Sequence, residues 1–216
     1  GEQAFWTVVG GDGDSEESLF DEDGLLEFGR KQSSIVPSLH VEGRELGWAA
    51  GSVSHSLEEG WMPLPSLTRS YPGVKLDVSV WRSSGAQGPA AEYRVTNTGQ
   101  APLRVSLQLK EFPTQVNPPW QNLNTVGGFA PPSDSGWTKF ASGPKKQVAR
   151  WGLNGPNDPI GGHVALFPLV LGPGETKSVQ LAFPGNRPRG EELDQWHRRS
   201  EEGPRWLVPP NALPVI

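Results

Sequence analysis

The sequence predicts an all-β protein, a large antiparallel two-sheet β-sandwich with a short C-terminal helix. Three observations carry this expectation. The 216 residues include 27 Gly and 22 Pro spread along the whole chain, which suits many short strands joined by turns. Several stretches alternate apolar and polar side chains with the period of two that a half-buried strand requires. Only 35% of residues are hydrophobic, yet nine are Trp, so the core must lean on a few large side chains.

Residues 4–9, Ala4-Phe-Trp-Thr-Val-Val9, read as a first strand ending at Gly10-Gly11. An acidic stretch follows. Asp12, Asp14 and Glu16 have part of the spacing of a calcium loop. However, Glu17 stands where such a loop needs Gly for its sharp turn, and Asp23 where it needs Glu. A solvated acidic loop is the expectation. From Leu25 to Arg69 the apolar bursts 25–28, 35–41, 46–48, 52–57 and 66–69 are each too short for a helix and are bounded by Gly, Pro or charge. They predict a meander of antiparallel strands. His40 and His55 fall on these strands without an acidic or histidine partner at ligand spacing, and both read as structural.

The clearest alternation comes next. In Val74-Lys-Leu-Asp-Val-Ser-Val-Trp81 the even positions are apolar, and Leu103-Arg-Val-Ser-Leu-Gln-Leu-Lys110 repeats the pattern on odd positions. Ala91 to Thr96 runs into the turn Asn97-Thr-Gly-Gln100, so a hairpin with one wet and one buried face is expected to enter the strand at 103. Residues 133–137 look turn-like, 148–151 and 163–167 look like strands, and Gly172-Pro-Gly-Glu175 turns into a last alternating strand over 176–183. Gly190 to Arg199 places acids first and bases last, matching a helix dipole, with Leu193, Trp196 and His197 close to one face. The expected organisation is a sandwich domain over 1–185, followed over 186–216 by a helix and a proline-rich tail that reads as a linker.

Between these strands lies a long structured loop, 111–131. Pro113, Pro118 and Pro119 remove backbone donors and keep it out of both regular structures. It concentrates the side-chain amides of Gln115, Asn117, Gln121, Asn122 and Asn124 beside Phe112, Trp120 and Phe129. Amides that donate and accept, next to aromatic faces, suit a neutral polyhydroxylated ligand such as a sugar. The same residues also suit capping sheet ends and packing an interdomain seam.

Composition excludes several function classes. The formal net charge of −5 and the pI near 5.4 argue against nucleic acid or an anionic membrane as partner. Zero cysteines exclude disulfides, thiolate metal sites and cysteine nucleophiles. No apolar run approaches the length of a membrane span, and no signal peptide is evident. The chain begins on Gly1 rather than Met, which reads as the remnant of a cleaved tag and leaves the native N-terminus and compartment open. There is no phosphate loop, nucleophile elbow, zinc-protease motif or dinucleotide fingerprint, and so no cofactor is implied. Glu58, Glu59, Glu111 and Asp134 could be paired for glycoside hydrolysis, but nothing in the sequence sets two of them at the required separation. They read as surface acids.

Three segments carry a resemblance: Gly51-Ser-Val-Ser-His-Ser-Leu-Glu-Glu-Gly-Trp-Met-Pro-Leu-Pro-Ser66, Tyr93-Arg-Val-Thr-Asn-Thr-Gly99, and Phe112-Pro-Thr-Gln-Val-Asn-Pro-Pro-Trp-Gln-Asn-Leu-Asn-Thr-Val-Gly-Gly128. Together they resemble the β-sandwich region that precedes an (α/α)6-barrel catalytic domain in large bacterial carbohydrate-active proteins of the six-hairpin glycosidase type. The likeness spans about residues 5–185. It implies a supersandwich, a linker helix at Glu191 to Ser200, and a partner barrel in the same parent chain that carries the catalytic acids. No catalytic residue transfers to these positions. What the resemblance implies here is a supporting role at an oligo- or polysaccharide site, with Trp120, Gln121, Asn117 and Gln115 as ligand-binding candidates and Trp61 joining them from the Glu59-Gly60-Trp61-Met62-Pro63 loop. The alternatives are a self-sufficient carbohydrate-binding module, which should show several exposed Trp in a row, and a structural or interaction domain, in which Trp61 and Trp120 should be buried.

Overall fold

The computed structural model describes residues 6–11, 13–14, 16–29, 33–47, 50–112, 136–151 and 162–202. Its strands are β1 (Trp6–Val9), β2 (Ser18–Asp21), β3 (Leu26–Glu27), β4 (Ser34–Val41), β5 (Arg44–Glu45), β6 (Ser52–Glu58), β7 (Met62–Tyr71), β8 (Val74–Trp81), β9 (Ala90–Asn97), β10 (Leu103–Phe112), β11 (Ala141–Ser142), β12 (Gln147–Trp151), β13 (Gly162–Leu171) and β14 (Thr176–Ala182). Among the described residues one α-helix, α1, spans Arg189–Glu202. All strand pairs are antiparallel and fall into two sheets. The larger has eight strands in the order β1-β2-β3-β4-β10-β13-β12 with β5 paired to β4, and the smaller has six in the order β11-β14-β9-β8-β7-β6. This is the all-β two-sheet sandwich that the composition and period-two patterning predict.

The alternation read from the sequence is what closes the sandwich. Val105, Leu107 and Leu109 of β10 and Phe167, Leu169 and Leu171 of β13 line the inner face of the larger sheet. Leu76, Val78 and Val80 of β8, Tyr93 and Val95 of β9, and Val179 and Leu181 of β14 line the smaller one. Two β4 residues, Ile35 and Leu39, and β7's Leu67 extend the same core. At one end Phe28, Trp137, Phe140 and Phe183 form an aromatic cluster, with ring centroids 4.9 Å apart for Phe28 and Phe183 and 4.7 Å for Phe140 and Phe183. Such tilted pairs contribute beyond their buried area. Trp137 starts a 3-10 turn (Trp137–Phe140) and is fully buried, so it is a core residue, not part of a surface turn.

The expected hairpin between 91–96 and 103–110 does not form. Strand β9 belongs to the smaller sheet, between β14 and β8, and β10 to the larger, between β4 and β13. The intervening turn therefore crosses from one sheet to the other, and Asn97 is its corner post. Its amide Nδ2 donates to the carbonyls of Ala101 at 2.8 Å and Leu171 at 3.1 Å, and its Oδ1 accepts from Gly99 N at 2.9 Å. Its backbone N donates to Glu175 O and its own carbonyl accepts from Gly174 N. A side chain that is only 1% exposed thus has its polar atoms engaged. These bonds tie the crossover to the β13–β14 turn, which a flat two-strand hairpin could not reach.

Glu16 and Glu17 are exposed, as the charge of this stretch suggests, but Asp14 and Asp23 are tied into the fold. Asp14 Oδ1 accepts from Gly85 N at 2.8 Å, and Asp14 Oδ2 lies 3.7 Å from Arg82 Nε. Buried Arg82 also donates to Ser18 Oγ at 3.2 Å and to Ala86 O at 3.2 Å. Asp23 pairs with Arg69 at 3.2 Å. Asp14 and Asp23 thus tie the loop to β7 and to the residues that follow β8.

Two compact units are distinguished, Gly1–Asn186 and Arg187–Ile216. In the second, α1 carries Glu191 and Glu192 in its first turn and Arg199 in its last, the arrangement the dipole favours. Arg187 Nη1 donates to Glu192 Oε2 at 3.0 Å, and the Arg199 guanidinium lies 5.5 Å from the Trp196 ring centre.

Candidate functional site

Trp120, Gln121, Asn117 and Gln115, with the rest of 113–135, lie outside the described residues, as does Asp134. Trp61 is described. It closes the turn between β6 and β7, where Glu59 and Gly60 have φ of 50° and 77°. Positive φ at both central positions is what a tight type I′ hairpin turn demands, and Gly accepts it without strain. Gly60 N donates to Leu57 O at 3.0 Å and Trp61 N to Glu58 O at 3.2 Å, while the next residue, Met62, is fully buried. The backbone at Trp61 is therefore hydrogen-bonded within the turn, and its side chain is 51% exposed.

Beside this hairpin the sandwich is open at one edge. A cleft of about 620 Å³ runs between β1 and β2 of the larger sheet and β6 and β7 of the smaller one. Val8, Phe20 and Leu57 give it an apolar floor, and Asp21, Glu22 and His55 its polar groups. His55 Nε2 lies 2.8 Å from Glu22 O. The carbonyl can only accept, so Nε2 carries the proton and His55 bridges the two sheets. Asp21 Oδ1 accepts from Leu25 N at 2.7 Å and Asp23 N at 2.9 Å, fastening the turn into β3. Burial pushes the Asp21 carboxyl up from its ordinary value, and those two backbone donors only partly offset it. His40 lies elsewhere, on the outer face of the larger sheet. Its Nε2 is 3.6 Å from Glu45 Oε2, which also holds Lys110 Nζ at 2.8 Å. Burial lowers the imidazole below its usual range, and Glu45 pulls it partly back. The structural reading of both histidines stands on these contacts.

Glu111 is the residue that sequence reasoning misplaced. It is 0% exposed and accepts from His163 N at 2.9 Å, with His163 Nδ1 3.2 Å from the same oxygen. Gly162 makes room for it, since a Cβ there would sit 2.8 Å from Glu111 Oε2. The signal was in the alternation: Leu103, Val105, Leu107 and Leu109 put odd positions inside, and Glu111 continues that series. A buried carboxylate that orients an imidazole is half of an acid–base device. Among the described residues its visible work is to clasp the ends of β10 and β13, next to the start of 113–135.

The chain matches no protein-family model, and no curated protein matches it in sequence. Among the described residues no group of three or more His, Asp or Glu side chains could hold a metal ion, and no helix is long and apolar enough to cross a membrane. Among the described residues the site offers one half-exposed aromatic ring, a cleft of mixed polarity, and carboxylates already engaged by backbone donors or cations.

Proposed function

We propose that this chain is a non-catalytic β-sandwich domain of a glycoside hydrolase-like protein, scaffolding a sugar site that an (α/α)6-barrel of the same parent chain completes. The observation that carries the reading is the division among tryptophans. Of the three in the sandwich whose side chains are described, Trp81 and Trp137 are buried, and Trp61 stands half exposed on a hydrogen-bonded turn. A self-sufficient glycan-binding module needs a row of such rings. One ring on such a turn is better suited to finish a site whose other walls come from elsewhere, with the apolar face of a sugar stacked on it and amides from 111–131 meeting the hydroxyls. The engagement of Asp14, Asp21, Asp23 and Glu111 in the fold is consistent with leaving the chemistry to the partner domain.

A glycan array probed with this chain, with Trp61→Ala and Trp120→Ala as controls, tests the proposal. The expected result is no binding and no release of reducing sugar by the isolated chain. Binding that either substitution abolishes would overturn it in favour of a self-sufficient carbohydrate-binding module, the second reading that the exposure of Trp61 keeps in play. Hydrolysis by the isolated chain would overturn its non-catalytic part.

A further inference from the structure

We propose that strand β6 is a self-association edge, through which two copies of this chain pair antiparallel about a two-fold axis at His55 and join their smaller sheets into one. Among the described residues β6 ends its sheet with no strand on its outer side. Every residue from Ser52 to Leu57 is exposed. Register with β7 sets Val53 opposite Arg69, His55 opposite Leu67 and Leu57 opposite Pro65, all three buried partners, so Val53, His55 and Leu57 point to the core side. That side is only partly covered: His55 reaches Glu22 O across the cleft, and Val53 stays 39% and Leu57 36% exposed.

Natural sheet edges are usually blunted with Lys, Pro, bulges or extreme shortness. The other edges here are short or charged: β11 has two residues, β1 four, and β12 five with Arg150 among them. Strand β6 runs seven residues, carries no Lys, Arg or Pro, and its one irregularity lies at its end, between Leu57 and Glu58. It is the long unguarded edge of the described structure.

The order of its residues selects the occupant. A two-fold contact requires that when residue i faces j, j also faces i. Centred on His55, Ser-Val-Ser-His-Ser-Leu-Glu reads nearly the same in both directions: Val53 faces the second copy's Leu57, Ser54 faces its Ser56, and each repeats by symmetry. Apolar and hydroxyl cross-strand pairs of this kind are favourable. Charge points the same way. Each copy carries a net −5, residues 52–57 hold no Asp, Glu, Lys or Arg, and Glu58 at the strand's end faces the second copy's Ser52, so the pairing sets no like charges opposite each other.

Sedimentation equilibrium across a concentration series tests this, with thermal melts to confirm that each variant stays folded. The wild-type mass is expected to rise from 23.4 kDa toward twice that value. Val53→Lys with Leu57→Lys sets cations opposite cations in both cross-strand pairs and is expected to raise the dissociation constant at least about tenfold. Val53→Lys with Leu57→Glu sets opposite charges in the same pairs and is expected to restore the dimer, a rescue that no other register gives. A monomer at all concentrations up to about 1 mM, the weak end of specific association, overturns the proposal and leaves the edge to a strand from a different protein. A dimer indifferent to the double lysine variant, or one that the charge swap does not rescue, overturns it equally.

Discussion

Asn97→Ala tests whether the crossover between sheets depends on one side chain. The substitution removes two donated bonds and one accepted bond. A typical intramolecular hydrogen bond contributes about 1 kcal/mol net, and a buried group left without its partner costs about 1–3 kcal/mol. Ala101 lies at the surface, where water can replace the lost donor, whereas the Leu171 bond is buried. The Leu171 carbonyl therefore dominates, and the expected loss is about 3 kcal/mol. For a chain of this size that corresponds to roughly 6–12 °C in Tm. Chemical denaturation measures it, with the slope against denaturant unchanged if only the folded state is affected. Asn97→Asp sharpens the test, because it keeps the acceptor for Gly99 N but turns oxygen toward two carbonyls. At pH 7 it is expected to be no better than Ala, and to recover as acid restores a donor. A loss below about 1 kcal/mol for Asn97→Ala, or a stable Asp variant at pH 7, would refute the corner-post argument.

Three further outcomes are expected. Tyr93 is wholly buried, burial drives its phenol well above the ordinary range, and its hydroxyl has no hydrogen-bond partner among the described residues. Tyr93→Phe should therefore stabilise the fold by about 1 kcal/mol, and calorimetry showing a clear loss would disprove that reading. His40 has a folded value below its ordinary 6.5, so the unfolded chain takes up a proton first as pH falls. Its contribution is fully present above 6.5 and is lost as pH falls from there through the folded value; His40→Gln should flatten the stability–pH curve of the wild type between pH 7 and 5. Gly162→Ala drives a methyl against the Glu111 carboxylate and should cost about 1–3 kcal/mol, read by urea titration; a neutral result would mean that the clasp has room.

The fold was legible because the strongest signals were local. Period-two runs at 74–81 and 103–110 are set by which face meets the core, and both became strands. Sheet membership was not legible. A turn such as Asn97 to Gln100 has the same residues whether it joins neighbours or crosses between sheets, and only the distant carbonyl of Leu171 distinguishes the two. Asp14 and Asp23 misled for a related reason, since their cationic partners Arg82 and Arg69 lie some 50–70 positions away. Glu111 was readable from parity alone, but its charge outweighed its position in the series. For the ligand-binding candidates, the sequence located Trp61 in a loop between two strands, and Gly60 marks the positive φ of the turn there; the exposure of the ring depends on which neighbours pack on it, which residue types do not encode.

The order of strands also bears on how the chain is made. Strands β6, β7, β8 and β9 are neighbours both in sequence and in their sheet, so they can assemble as soon as they leave the ribosome. Strand β4 has no such fortune: its inner neighbour is β10, and the residues between them build most of the other sheet. Until residue 112 has been synthesised, the first four strands have one side of their meander unpaired; β10 then adds to β4, and its own far side waits for β13. Such long-range closure is slow, and strand β9 waits longer still for β14, so both half-built sheets hold an open edge until the last third of the chain is made.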